Sequence, residues 1–145
     1  MSKTRWMYKD QSFKLKFGKS NNNWASVALA ETVNAEDLHD GVYLTENSSG
    51  KWEIASESDV PAYPMLEGKY QYDNQAIGEV TISQGSVIAY TKHFSGTPNK
   101  GDHMKVGANN GELVPVDTAS GDTVDMAVAR VNNVYGDYIE ITKLF

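Results

Sequence analysis

The chain has 145 residues, of which 40% are hydrophobic, and it contains no cysteine. This length suits one domain that buries roughly two thirds of its unfolded surface, and the hydrophobic content is too high for a disordered chain. The lack of cysteine excludes disulfides, cysteine-ligated zinc and thiol catalysis. No stretch approaches the ~20 apolar residues that span a bilayer, and residues 1–19 lack the apolar core of a signal peptide, so we expect neither a membrane partner nor secretion.

The net charge of −6 is unevenly distributed along the chain. Residues 1–24 contain six basic residues and one acidic residue and carry +5, while the remainder carries −11. A basic segment binds readily to acidic surfaces. The acidic remainder would repel nucleic acid, so we do not expect nucleic acid as a partner. We interpret residues 1–24 as a basic N-terminal arm.

Aromatic residues are interleaved with the basic residues of this arm. The candidate residues for binding a partner or a second subunit are Arg5, Trp6, Tyr8, Phe13, Lys14, Lys16 and Phe17. In one interpretation the arm extends from the body, with the aromatic side chains as anchors. In the other, the alternation of Phe13, Leu15 and Phe17 with lysines marks a half-buried strand of the protein's own sheet.

Residues 25–63 are predicted to form an N-terminal β segment. Ala25 to Val33 suits either a strand or a short helix, and Asn34 could cap a one-turn helix over Ala35 to His39. Val42 to Leu44 and Lys51 to Ile54 resemble the arms of a hairpin around the turn Asn47-Ser48-Ser49-Gly50. The stretch "SESDVPAYPMLEG", with two prolines, favours a boundary before a C-terminal barrel or sandwich domain of residues 64–145.

A tight hairpin is predicted within the C-terminal domain. Asn109-Asn110-Gly111 separates the arms His103 to Val106 and Glu112 to Val116, and Asn and Gly tolerate the positive φ that such a turn requires. Pro115 cannot donate a hydrogen bond, so the second arm should be an edge strand or be bulged. The other predicted strands are Gly78 to Ser83, Ser86 to Phe94, Thr123 to Val134 and Tyr138 to Phe145.

Gly-Asp occurs at residues 101–102, 121–122 and 136–137. In each pair we expect the glycine to supply an unusual backbone angle and the aspartate to bond the following amides at a strand entrance. With these turns the sequence predicts a mainly β fold, a small antiparallel barrel or sandwich. It should have an extended N-terminal arm and at most one or two short helices.

No catalytic or metal-binding constellation stands out. Asp102 could not easily orient His103, because neighbouring residues of a strand point to opposite faces. Two histidines such as His93 and His103 make a poor zinc site without a third ligand, and no calcium or phosphate loop is present. We therefore expect no catalytic residue, no metal and no cofactor.

The aromatic residues allow two interpretations. They could form a sugar-stacking platform, or they could belong to the core or to an interface, where Tyr and Trp are common. The second interpretation and the alternating strands predict a homo-oligomer, a dimer or trimer. The residues concerned are Trp24, Trp52, Tyr63, Tyr70, Tyr72, Tyr90, Tyr135 and Tyr138.

Residues 78–145 resemble the C-terminal β-domain of tailed-bacteriophage virion proteins, most of all the head decoration, or cement, proteins. The resemblance consists of the Gly101-Asp102 turn, the Asn110-Gly111 hairpin, the strand "AVARV" from Ala127 and the closing "GDYIEI" from Gly136. It implies a non-enzymatic structural protein, made in the host cytoplasm and located on the capsid exterior. The partner it implies is the major capsid protein, on which the N-terminal arm would dock. Another virion part, such as a tail or head-fibre subunit, is the alternative from the same setting, and a carbohydrate-binding module is the alternative from another class.

Overall fold

The computed structural model describes residues 13–16, 24–34, 37–38, 40–66, 78–85 and 87–144. Their strands form two antiparallel sheets, so the predicted mainly β fold is confirmed. Neither sheet is a closed barrel, which removes one of the two predicted architectures. The proposed one-turn helix at Ala35 to His39 lies partly outside the described residues.

The first sheet has six strands and the second has five. In spatial order the six-stranded sheet consists of β1 (Phe13–Leu15), β7 (Ile88–Thr91), β11 (Ile139–Lys143), β10 (Ala127–Val134), β8 (His103–Val106) and β9 (Leu113–Pro115). The five-stranded sheet consists of β2 (Trp24–Ala28), β6 (Glu79–Ser83), β5 (Tyr63–Leu66), β3 (Tyr43–Glu46) and β4 (Trp52–Ile54). The chain passes from the second sheet to the first between β6 and β7, whereas the predicted boundary at residues 63–64 falls inside β5.

The first described segment of the arm is a strand of the protein's own sheet. β1 pairs antiparallel with β7, with Phe13 opposite Thr91. The Phe13 side chain is buried, and a Cβ atom on Gly41 would lie 2.8 Å from it. The absence of a side chain at Gly41 therefore leaves room for the Phe13 side chain. This arrangement agrees with the second interpretation of the arm, an integral strand.

Both predicted hairpins are confirmed. The Glu112 amide donates to the Asn109 carbonyl at 3.0 Å, and the two residues between them, Asn110 and Gly111, have φ of 47° and 66°. β9 is an edge strand, as the proline at position 115 predicts. In the β3–β4 hairpin, the side-chain oxygen of Asn47 accepts hydrogen bonds from the amides at positions 49 and 51.

Strand β10 is shorter and less regular than the strand predicted over Thr123 to Val134. It begins at Ala127, because residues 124–126 form a 3-10 turn, and its register shifts between Ala127 and Ala129 and again between Val131 and Asn133. A bulge places an extra residue on one strand and re-aims the side chains that follow. Residues 127, 128 and 129 are consequently all buried.

The Gly-Asp turns have the predicted backbone but not the predicted hydrogen bonds. The three glycines have φ of 92°, 99° and 88°. Asp102 and Asp122, however, accept from the preceding amides of Asn99 and Asp117, at 2.8 and 2.9 Å, rather than from the following amides. The aspartates thus close the loops that lead into the turns.

The two sheets share one core, and the five-stranded sheet has a second core. Tyr43, Ala55 and Ala62 join the buried side chains of the six-stranded sheet. The second core lies around Val42, Leu44, Trp52, Leu38, Met65, Val80 and Ile82. Backbone hydrogen bonds join the two halves of the protein, one containing the five-stranded sheet and the other containing the six-stranded sheet. The amide of residue 43 donates to the Gly111 carbonyl at 3.1 Å, and the amide of residue 58 donates to the carbonyl of residue 106 at 2.9 Å.

The phenol of Tyr43 lies in the shared core. Its hydroxyl is buried and has no hydrogen-bond partner among the described residues. Burial raises the pKa of this phenol above its ordinary range. A buried, unsatisfied hydroxyl costs about 1–3 kcal/mol.

Replacing this residue by phenylalanine, Tyr43→Phe, is expected to raise the free energy of unfolding by about 1 kcal/mol, since the ring packing is kept and the unsatisfied group is removed. Urea unfolding measures the change. The matched control is Tyr63→Phe, on the neighbouring strand and only half-buried, which should not stabilise the protein. A loss of stability in Tyr43→Phe would contradict the prediction and indicate a bound partner for the hydroxyl.

Candidate functional site

The outer face of the six-stranded sheet is the side turned away from the shared core. Lys14 on β1 lies opposite Tyr90 on β7, which in turn lies opposite Glu140 on β11. Side chains in register across a sheet share one face. The residues flanking them, such as Ala89 and Ile141, are buried on the other face. The outer face therefore carries charged and aromatic side chains.

Three tyrosines form a cluster on this face. The ring centroid of Tyr90 lies 5.7 Å from that of Tyr138, nearly perpendicular, and 6.2 Å from that of Tyr135. The rings of Tyr135 and Tyr138 are stacked at 5.1 Å and 20°. Tyr135 is 44% exposed, and its neighbour Val134 is 43% exposed. We call Tyr90, Tyr135 and Tyr138, with Lys14, Lys16 and Glu140, the tyrosine face.

A polar network lies beside the tyrosines on the same face of the sheet. Lys16 Nζ lies 3.1 Å from Oε1 of Glu140, and Nδ2 of Asn132 donates to the other carboxylate oxygen at 3.1 Å. Glu140 is only 4% exposed. The hydrogen bond to Glu140, with the negative charge of its carboxylate, raises the pKa of Lys16. A buried carboxylate held from two sides gives the face a defined shape, because each buried polar group has a fixed partner.

A second charged cluster ties the two halves of the protein together. The buried Lys105 on β8 lies 2.9 Å from Asp122 and 3.6 Å from Glu57, and it donates to the hydroxyl of Ser58 at 3.3 Å. Its hydrogen bond to Asp122 raises the pKa of Lys105 and lowers the pKa of Asp122. The ammonium of Lys105 is paired within the cluster and joins distant parts of the chain, so we assign the cluster a structural role.

The structure describes three of the seven predicted arm residues. Arg5, Trp6, Tyr8 and Phe17 lie outside the described residues. Phe13 packs into the shared core and is covered while β1 is paired. Lys14 and Lys16 lie on the outer face, beside the tyrosines. The described part of the arm therefore contributes its lysines to the surface and its aromatic side chain to the core.

The structure separates the aromatic residues into groups that the sequence did not distinguish. Trp52 is buried in the second core, 5.9 Å from the Tyr63 ring, so it is not available as a sugar platform. Tyr70 and Tyr72 lie outside the described residues. Tyr90 is 45 positions before Tyr135, and strand order alone brings them together. The signal for Tyr135 and Tyr138 was their position on both sides of a predicted tight turn.

Two of the three histidines, His93 and His103, lie within the described residues. Nε2 of His93 lies 3.0 Å from the Asn110 carbonyl oxygen, and the carboxylate of Asp102 accepts from a backbone amide rather than contacting His103. His39 lies outside the described residues. Within the described ranges, no group of three or more His, Cys, Asp or Glu side chains is placed to hold a metal ion.

No protein-family model, curated protein or solved structure matches the chain. Among the described residues no helix has the length and apolar character to cross a membrane. The tyrosine face is consequently defined by its own geometry: a rigid sheet that presents aromatic rings with phenol groups, flanked by cations. Such a surface offers contact area and hydrogen bonds to a partner.

Proposed function

We propose that the protein is a non-enzymatic virion structural protein that binds the major capsid protein and stabilises the capsid shell from outside. The observation that carries the proposal is the tyrosine face, where half-exposed rings stand on a sheet braced by the buried Glu140 network. Tyrosines on rigid supports are typical of protein interfaces, because they provide large contact area at a small cost in conformational entropy.

The resemblance to head decoration proteins supports the same function. The elements that carry it are β8, the Asn110-Gly111 turn, β10 and β11, and all belong to the six-stranded sheet. The tyrosine face is formed on that sheet too. Many copies on a shell act together, so each copy needs only weak contacts to stabilise the particle. In this setting we expect a dimer or trimer on the shell.

Cosedimentation with purified empty capsids of the phage that encodes the protein tests the proposal. We expect the full chain to pellet with capsids, to saturate at a fixed number of copies per shell, and to raise the temperature at which the shells disrupt. Electron microscopy should show added density on the capsid exterior. Density only on a tail or fibre would favour the other virion part, and no binding to any particle would overturn the proposal.

A carbohydrate-binding module is a second candidate, supported by the stacked Tyr135 and Tyr138 rings. Exposed aromatic rings can bind the apolar face of a sugar. A glycan array with the full chain distinguishes the two functions. Binding to a defined glycan that is lost in Tyr135→Ala would favour the module, whereas absence of glycan binding together with capsid binding favours the virion protein.

A further inference from the structure

We infer that the tyrosine face, extended by Arg130, is the surface that binds the capsid, and that its partner surface is acidic. This inference rests on the proposed function and names the surface and the chemistry of the contact. It assigns the main contact to the folded sheet and includes Tyr135 and Arg130, which the sequence did not connect with the basic arm.

The charge of this face is opposite to that of the whole protein. Four cations lie on it or at its rim, Lys14, Lys16, Lys92 and Arg130, against the two carboxylates of Asp137 and Glu140, which leaves +2. The chain as a whole carries −6. A cationic patch on an anionic protein selects an anionic partner and orients the protein as it approaches.

Two of these cations are available to a partner. Glu140 pairs with Lys16, and Asp137 lies 3.7 Å from Lys92. Lys14 and Arg130 are exposed and form no ion pair within the part of the chain that the structure describes. Arg130 lies opposite Thr142, one row along the sheet from the Tyr90–Glu140 row. The two cations therefore lie on separate strands, with the Glu140 network between them.

Tyr135 provides the apolar anchor beside these cations. The described residues include five large hydrophobic side chains that are substantially exposed, and two of them, Val134 and Tyr135, are adjacent at this end of the sheet. Stacking on Tyr138 fixes the ring of Tyr135 before any partner binds. An anchor that is already ordered loses little entropy on binding.

The partner that fits this face is an acidic protein surface. Two copies joined about a two-fold axis through this face would place two patches that each carry +2 against one another, and like charges in an interface are unfavourable. Nucleic acid fits the cations, but the remaining net charge of the protein would repel it. Carboxylates on the capsid lattice pair with the cations, and carbonyl groups there accept from the phenols.

The test measures capsid affinity by cosedimentation for the full chain and for Tyr135→Ala and Arg130→Glu. Matched controls are Val124→Ala, an exposed apolar residue outside the face, and Lys51→Glu, an exposed cation on the β3–β4 turn. We expect each face variant to weaken binding at least about tenfold and the controls to change it less than about twofold. Wild-type affinity should fall as salt rises from about 50 to about 300 mM.

The outcomes separate this inference from the proposed function. If the wild-type chain binds capsids and both face variants bind equally well, the surface assignment is wrong and the function stands. If the wild-type chain does not bind, both are overturned. If the variants lose self-association in sedimentation velocity but keep capsid affinity, the face joins copies of this chain and the inference is wrong. Thermal unfolding of each variant verifies that it is folded.

Discussion

Replacing Gly111 by alanine is expected to lower the free energy of unfolding by about 3 kcal/mol, since two costs add. Gly111 has φ of 66°, where a side chain costs about 1–2 kcal/mol. A Cβ atom there would lie 2.7 Å from the Tyr43 carbonyl oxygen and 2.8 Å from a methyl group of Val42. Both neighbours belong to the other half of the protein, so the added atom would push the two halves apart.

Gly101→Ala is the matched control for Gly111→Ala. Its φ of 92° makes the backbone strain at least as large, but a Cβ atom there would meet nothing within 4 Å. Urea unfolding of both variants therefore separates the contact between the halves from the backbone term. We expect the control to lose about 1–2 kcal/mol. Equal losses in the two variants would show that the approach of Gly111 to Tyr43 does not contribute.

Replacing Lys143 by methionine is expected to stabilise the protein by about 2 kcal/mol at pH 7. Lys143 is 3% exposed, and its Nζ lies 5.1 Å from the centre of the Tyr63 ring. Burial lowers the pKa of Lys143 to about 8, so the folded protein holds the charged form of this lysine less favourably than the unfolded chain does. Methionine has a similar length and fills the same space without a charge.

This effect depends on pH in a defined direction. Between pH 8 and 10.5 the unfolded chain holds its proton on Lys143 more often than the folded protein does, so the stability of the wild-type protein rises with pH across this window. Lys143→Met lacks this contribution. The difference between the two proteins should therefore be largest at pH 7 and below, and it should disappear near pH 10.5.

Urea unfolding at several pH values measures this difference directly. Lys51→Met, which removes an exposed lysine, is the control and should change the free energy of unfolding at pH 7 much less than Lys143→Met does. A constant difference between wild type and Lys143→Met across the window would contradict the assignment of a charged, buried lysine.

Period-two alternation in the sequence indicates the inward face of β11 but not that of β10. Period-two alternation from Ile139 and Ile141 places position 143 on the same inward face, so the signal was present. In β10 the same rule fails, because two bulges shift the register and bury Val128 beside Ala129. Alternation identifies a face only while the pairing is regular, and the pairing depends on the partner strands.

Local backbone chemistry determined the hairpins. Asn110 and Gly111 accept the positive φ of a tight turn, and Pro115 restricts its strand to an edge, so short stretches of sequence were sufficient.

The tyrosine face was decided by tertiary structure. Tyr90 meets Tyr135 and Tyr138 only because β7 pairs with β11, and Lys16 reaches Glu140 only because β1 adds to the same sheet. These pairings join residues 45 to 124 positions apart, and no local preference specifies which distant strands become neighbours.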